Sequence, residues 1–235
     1  MAEIFDFPRT KTGIPGLDDI LYGGIPKGNL VVLSGDPGSG KTVFCAEFLL
    51  KGIEEHDENG VYISLEEDRM EIINMAKMFN WDLEQHIASK KLLIETIELY
   101  DFDKLKNTIE DLCSKISAKR IVIDPGVIFR LYFDRDLDAR KRILSLGKTL
   151  KKIGVTSIIT NEISLDKPSS LFGLEEYVAD GVILLYHTKI KGKFIRGVGV
   201  LKMRGTKISE KLHPIRIGDE GLTILSNQEL LEDVE

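Results

Sequence analysis

The residues best equipped for chemistry stand in one run, Gly35-Asp36-Pro37-Gly38-Ser39-Gly40-Lys41-Thr42, which fits the spacing G-x-x-x-x-G-K-[ST] of a phosphate-binding loop. Each residue type has a job in that spacing. Glycines let the backbone take positive φ and turn its N–H groups inward around an anion. Lys41 brings a mobile positive charge to the β- and γ-phosphates, and the Thr42 hydroxyl is a hard oxygen ligand for Mg²⁺. The apolar run Leu30-Val31-Val32-Leu33 before the loop has strand length. The residues from Val43 to Glu55 carry apolar side chains at 44, 45, 48, 49 and 53, an amphipathic helix whose N-terminal N–H groups face the same anion. Gly35 to Val43 is thus the expected nucleotide-binding segment, with ATP and Mg²⁺ as its ligands.

A second set of polar residues closes apolar, strand-like runs. Asp124 ends Arg120-Ile121-Val122-Ile123 in the Walker B manner and is the expected partner of Thr42 at the metal. Glu66 and Glu67 follow Val61-Tyr62-Ile63-Ser64-Leu65. Hydrolysis needs a carboxylate to orient and deprotonate water, and Glu66 is the first choice, with Glu67 as support or alternative. Thr160, Asn161 and Glu162 close Val155–Thr160 and are candidates to sense the γ-phosphate. Acidic residues ahead of a helix also occur simply because they favour its dipole, so position alone does not assign these roles.

The elements that must position these residues alternate. Strands at 30–33, 61–65, 92–97, 120–124 and 155–160 are separated by helices at 43–55, 69–80, 102–116 and 137–153, which predicts an α/β fold with a mainly parallel central sheet and helices on both faces. Ligands of such a sheet bind beyond the carboxyl ends of its strands, where the polar residues above fall. From Gly181 onward the runs 182–186, 194–203, 215–217 and 222–225 have no helices between them and predict a C-terminal antiparallel meander. Residues 1–11 lack periodicity and read as a peripheral arm on a single domain spanning 1–235.

Composition narrows the function classes. Apolar residues make up 43% and charged residues 30% of 235, ordinary for a globular chain, and no apolar run is long enough to span a bilayer. The N-terminus has no basic-then-apolar pattern, and Cys45 and Cys113 lack metal-ligand spacing, so a cytoplasmic protein with buried thiols is expected. The net charge of −6 argues against wholesale nucleic-acid binding. Yet His187 to Arg216 holds nine Lys or Arg against the single acid Glu210.

Taken together, GIPGLDDILYGGIPKG, GDPGSGKT, SLEE, IVIDP and KMRGTKIS resemble the RecA superfamily and, more narrowly, the KaiC-like ATPases, over residues 10 to 225. The resemblance implies a RecA-like core, ATP with Mg²⁺, and hexameric rings with nucleotide between subunits. It matches Glu66 and Glu67 to the family's catalytic glutamate pair. It matches Lys202 and Arg204 to basic residues that reach the neighbour's γ-phosphate. Two features depart from the pattern: PGVIFRLYFDRDLDARK after Asp124 contains no Ser or Thr, which argues against autokinase activity there, and Pro125 replaces a hydroxyl residue. The leading expectation is a ring-forming ATPase acting as a regulatory or assembly switch. The alternative is a recombinase paralogue of the RecA/RadA type that binds single-stranded DNA, with Gly126–Asp138, Ser164–Glu176 and Lys189, Lys191 and Lys193 as candidate contacts. An ATP-binding module that barely hydrolyses is a third possibility.

Overall fold

Thr10, in the segment expected to be a peripheral arm, and Thr12, just after it, are buried. In the computed structural model, which describes residues 7–98, 101–125, 136–163, 178–190 and 192–230, β1 (Arg9–Thr10) pairs antiparallel with β2 (Ile25–Pro26) around the short helix α1 (Leu17–Ile20). Thr10 Oγ1 lies 2.7 Å from Thr156 Oγ1. From Arg9 on the segment is therefore extended and packed against the body. Its contacts are polar and long-range, so periodicity does not reveal them.

Among the described residues the main sheet has nine strands, in the order β11-β10-β9-β8-β3-β7-β6-β4-β5. In chain order these are β3 (Leu30–Gly35), β4 (Gly60–Ser64), β5 (Leu92–Thr96), β6 (Arg120–Asp124), β7 (Thr156–Glu162), β8 (Gly181–Ile190), β9 (Lys193–Met203), β10 (His213–Gly218) and β11 (Gly221–Ile224). The six strands from β8 to β5 run parallel, and β9, β10 and β11 add antiparallel to one edge. The predicted meander is present, with one refinement: its first strand, β8, pairs parallel with β3 and so belongs to the central sheet.

Helices α2 (Lys41–His56), α3 (Arg69–Lys77) and α4 (Leu83–Ala88) contribute to one apolar layer, where Phe44, Phe48 and Ile72 meet Val31, Leu33 and Val122. Helices α5 (Phe102–Lys115) and α6 (Asp136–Ile153) contribute to the other, where Leu105, Ile109 and Leu146 meet Val32, Ile63 and Ile159. Successive residues of β3 are thus buried on opposite faces, as a parallel sheet covered on both sides requires. Each such side chain contributes about 1.5–3 kcal/mol when fully buried.

Two local differences have physical causes. The helix expected over 69–80 ends at Lys77, because Asn80 turns the chain at φ 59° and Asp82 starts α4 by accepting from the Gln85 N–H at 2.9 Å. Helix α4 buries only Leu83 and so shows no periodicity. The basic residue opening β6 is not solvated: Arg120 is fully buried, 2.7 Å from the Glu58 carboxylate, and donates to the backbone oxygens of Phe48 and Lys11. This cluster ties β6 to α2 at the end of the sheet opposite Asp124.

Candidate functional site

Strand register brings the polar strand ends together. Gly35 is paired with Glu162, and Ser64 with Asp124. Ile123 pairs with Ile159, which sets Asp124 beside Thr160. The result is a cleft of about 390 Å³ bordered by the loop (Pro37, Gly38, Gly40), the start of α2 (Lys41, Thr42, Val43), Glu66 and Glu67, Asp124 and Pro125, and Glu162. Gly35, Asp36 and Ser39 complete the loop without forming its rim: Gly35 lies inside β3 and Ser39 is buried.

The loop has the backbone its glycines predict. Gly38 has φ 72°, and Gly40, at φ 103°, stands immediately before α2. A Cβ on Gly38 would come 3.4 Å from the His187 ring. Lys41 Nζ donates to the backbone oxygens of Gly35 and Asp36, both at 3.0 Å, so the ammonium is held over the loop. Burial pulls its pKa below the ordinary lysine value, against the opposing influence of Glu162, Asp124 and Asp36. A half-buried cation under such strain gains from a nearby polyphosphate. Among the described residues the buried Ser39 hydroxyl has no hydrogen-bond partner, a further group in the loop for a ligand to satisfy.

The metal side also fits. Thr42 Oγ1 donates to Asp124 Oδ2 at 3.3 Å. Tyr62 Oη donates to the same oxygen at 2.6 Å, and Thr160 Oγ1 donates to Oδ1. Asp124 is therefore fixed from both sides, with hard oxygens of the kind Mg²⁺ takes. Among the described residues no three His, Cys, Asp or Glu side chains cluster closely enough to hold a metal alone. Thr42 and Asp124 are the residues that would hold such an ion, together with oxygens from a bound phosphate or water.

Of the three residues expected to close β7, Glu162 alone borders the cleft. Thr160 and Asn161 are buried within the strand, which runs to Glu162, and Thr160 serves Asp124 instead. Glu66 and Glu67 are exposed at the rim. The Glu67 carbonyl is anchored by Ser64 Oγ at 2.6 Å and Thr96 Oγ1 at 3.3 Å. Burial, then Asp124, Glu71 and Glu66, raise the Glu67 pKa.

Sequence reasoning missed the residues that brace the loop. Arg196 donates from Nε and Nη2 to the Gly38 oxygen, both at 3.1 Å, and the His187 N–H donates to Asp36 Oδ2 at 3.2 Å. Both belong to the basic stretch that the composition singled out, but only the parallel pairing of β8 with β3 brings them to the loop. Tyr62, an apparent core aromatic, was equally unreadable as a partner of Asp124.

Lys202 and Arg204 do not reach this cleft within one chain. Lys202 pairs with Val182, which pairs with Val32. That row lies three residues before Gly35, about 10 Å back along the strand. Of the expected nucleic-acid contacts, residues 126–135 of the first loop, all of 164–176 and Lys191 lie outside the described residues.

A family model described as "ATPase: KaiC" matches residues 10–229. A UPF0273 protein of Aeropyrum pernix is 35% identical, over 92% of this chain and 93% of that one. The circadian clock oscillator protein KaiC of Prochlorococcus marinus is 35% identical over 93% of this chain, which spans 46% of that longer protein. A crystal structure of a KaiC-like protein from the hyperthermophilic archaeon Pyrococcus horikoshii superposes with a TM-score of 0.86 at 36% identity, covering 93% of this chain and 99% of that chain.

Proposed function

The chain belongs to the KaiC ATPase family, and we propose that it binds ATP with Mg²⁺ at the 35–43 loop and hydrolyses it slowly, in a ring whose sites are shared between subunits. The observation that carries this reading is the single cleft in which Lys41, Thr42, Glu66, Glu67, Asp124 and Glu162 converge. Loop N–H groups and Lys41 bind and orient the phosphates. Thr42 and Asp124 would hold Mg²⁺, which neutralises charge on the phosphate oxygens when bound. Glu66 takes the proton of the attacking water, with Glu67 beside it as support or alternative. The neighbour's Lys202 and Arg204 would then supply charge to the γ-phosphate as negative charge develops there. The ring acts as a regulatory or assembly switch.

Their place at the opposite end of the sheet from the loop supports a role in trans, since neither side chain serves its own cleft. Sizing the protein with and without ATP and Mg²⁺, together with turnover per subunit against protein concentration, tests the shared site. Ring-sized particles and turnover that rises with concentration are expected. A monomer that hydrolyses equally well at every dilution refutes it.

A second reading, single-stranded DNA binding, draws on the tip of the β8–β9 hairpin. There Lys189 and Lys193 are exposed beside Phe194, 69% exposed, a basic and aromatic combination suited to stacked bases. Salt-sensitive binding of single strands supports this reading, and its absence at low salt removes it.

A further inference from the structure

Asp180, immediately before β8, is a buried carboxylate with two cations of unequal hold. Its side chain is 5% exposed. Lys151 Nζ, from α6, donates to Oδ1 at 2.7 Å. Oδ2 accepts the Leu30 N–H at 3.0 Å. Arg204 Nη1 stands 3.5 Å from the oxygen that Lys151 already takes, and its side chain is 65% exposed. The backbone of Arg204 is nevertheless fixed: its N–H donates to the Asp180 carbonyl at 2.9 Å. Next to it, Lys202 Nζ donates to the Ala179 carbonyl at 2.8 Å.

A buried carboxylate must be paired, and removal of its only cation is strongly unfavourable. Here Lys151 and the Leu30 N–H meet that requirement without Arg204. A contact at 3.5 Å is at the limit of a hydrogen bond, and one whose cation is this exposed contributes little. The guanidinium can therefore leave Asp180 without orphaning it, while the backbone bond keeps its base in place. We infer that Lys151 is a positioning residue for Arg204: by neutralising Asp180 it keeps the guanidinium available to a stronger anion, the neighbour's polyphosphate. This rests on the reading that Arg204 acts in trans.

The inference has a distinctive sign. Lys151→Gln leaves Arg204 as the one side-chain cation paired with Asp180 among the described residues. Asp180 then captures the guanidinium, and turnover at ring-forming concentration falls about tenfold, the scale of a hydrogen bond to a charged group. Adding Asp180→Asn removes the capturing charge and restores turnover to within about twofold, on the scale of a weak surface pair. Lys151→Arg keeps the charge and retains turnover, which separates positioning from a loss of fold. In an Arg204→Ala, Asp180→Asn background, where no buried charge is left unpaired, Lys151→Gln has no further effect. Wild-type turnover in Lys151→Gln overturns the inference, as does a loss that Asp180→Asn fails to rescue or that persists in that background. If Arg204→Ala alone leaves turnover and its concentration dependence unchanged, the trans reading itself has failed and this inference falls with it.

Discussion

Replacing Glu47 by Gln should make the fold less sensitive to a rise in pH from about 4.5 to about 7. Glu47 lies on α2, five residues after Thr42, and is 1% exposed. Its Oε2 accepts the Leu222 N–H at 2.8 Å, and the turn residue Gly221 packs against it and Trp81. The β10–β11 hairpin is thereby fastened to the loop helix, where Ile217 also lies against Gly40. Burial raises the Glu47 pKa from 4.5 to about 7, with the Leu222 N–H and Lys51 opposing. A raised carboxylate pKa means that the folded state binds the proton more tightly than the unfolded chain. Stability is therefore unaffected by this group below about pH 4.5, falls between there and about pH 7, and levels off above. About 2.5 pKa units at 1.36 kcal/mol each give a penalty of about 3 kcal/mol at pH 8. Glutamine retains an acceptor for Leu222 and carries no charge, so it should regain up to that amount. At roughly 2–4 °C per kcal/mol for a chain of this size, the melting temperature of the variant should exceed wild type by several degrees at pH 8, and the gap should shrink toward pH 5. Melting curves for both proteins at pH 5, 6, 7 and 8 check this. Parallel pH profiles would show that Glu47 does not titrate with the fold.

Lys41→Ala should abolish tight ATP binding, read by titration with ATP and Mg²⁺, and unchanged affinity would remove the loop assignment. Glu66→Gln combined with Glu67→Gln should still bind ATP and lose hydrolysis. The single variants apportion the roles, with the larger loss expected at Glu66. Tyr62→Phe removes a buried donor to the Asp124 side chain, which should destabilise the fold by about 1.5–3 kcal/mol. It should also weaken Mg²⁺-dependent ATP affinity more than Mg²⁺-independent affinity. Equal losses with and without the metal would place Tyr62 outside the metal side of the cleft.

Much of the fold was legible because its signals are local. The loop spacing, the β-branched runs ending in Gly35, Asp124 and Glu162, and the amphipathic face of α5 each declare themselves within about fifteen residues. The missing parts depend on pairings between distant segments. Glu47 occupies a polar position on an otherwise amphipathic helix, which reads as solvated until the β10–β11 hairpin covers it. Arg120 opens an apolar run as an ordinary surface cation would, yet Glu58 and two carbonyls draw it inside. His187 and Arg196 were visible as part of an excess of positive charge, but their task depended on which strand lies beside β3. The six-residue helix α4 was lost because one buried side chain makes no period.

The same topology gives the basic pair its significance. Strand β9 runs antiparallel to β8, so one end of it braces the loop through Arg196 and the other carries Lys202 and Arg204 away from it. A single strand thus touches its own chain's 35–42 loop at one end and offers cations to the surroundings at the other. If those cations serve a neighbour, the strand links two adjacent sites through one rigid element, and a change in Arg204's anion is felt at the Asp180–Leu30 contact where β3 begins its run to the loop. Arg204→Ala should then reduce turnover in assembled protein while leaving ATP affinity in dilute protein unchanged. Loss of affinity at dilution would instead place Arg204's effect within its own chain.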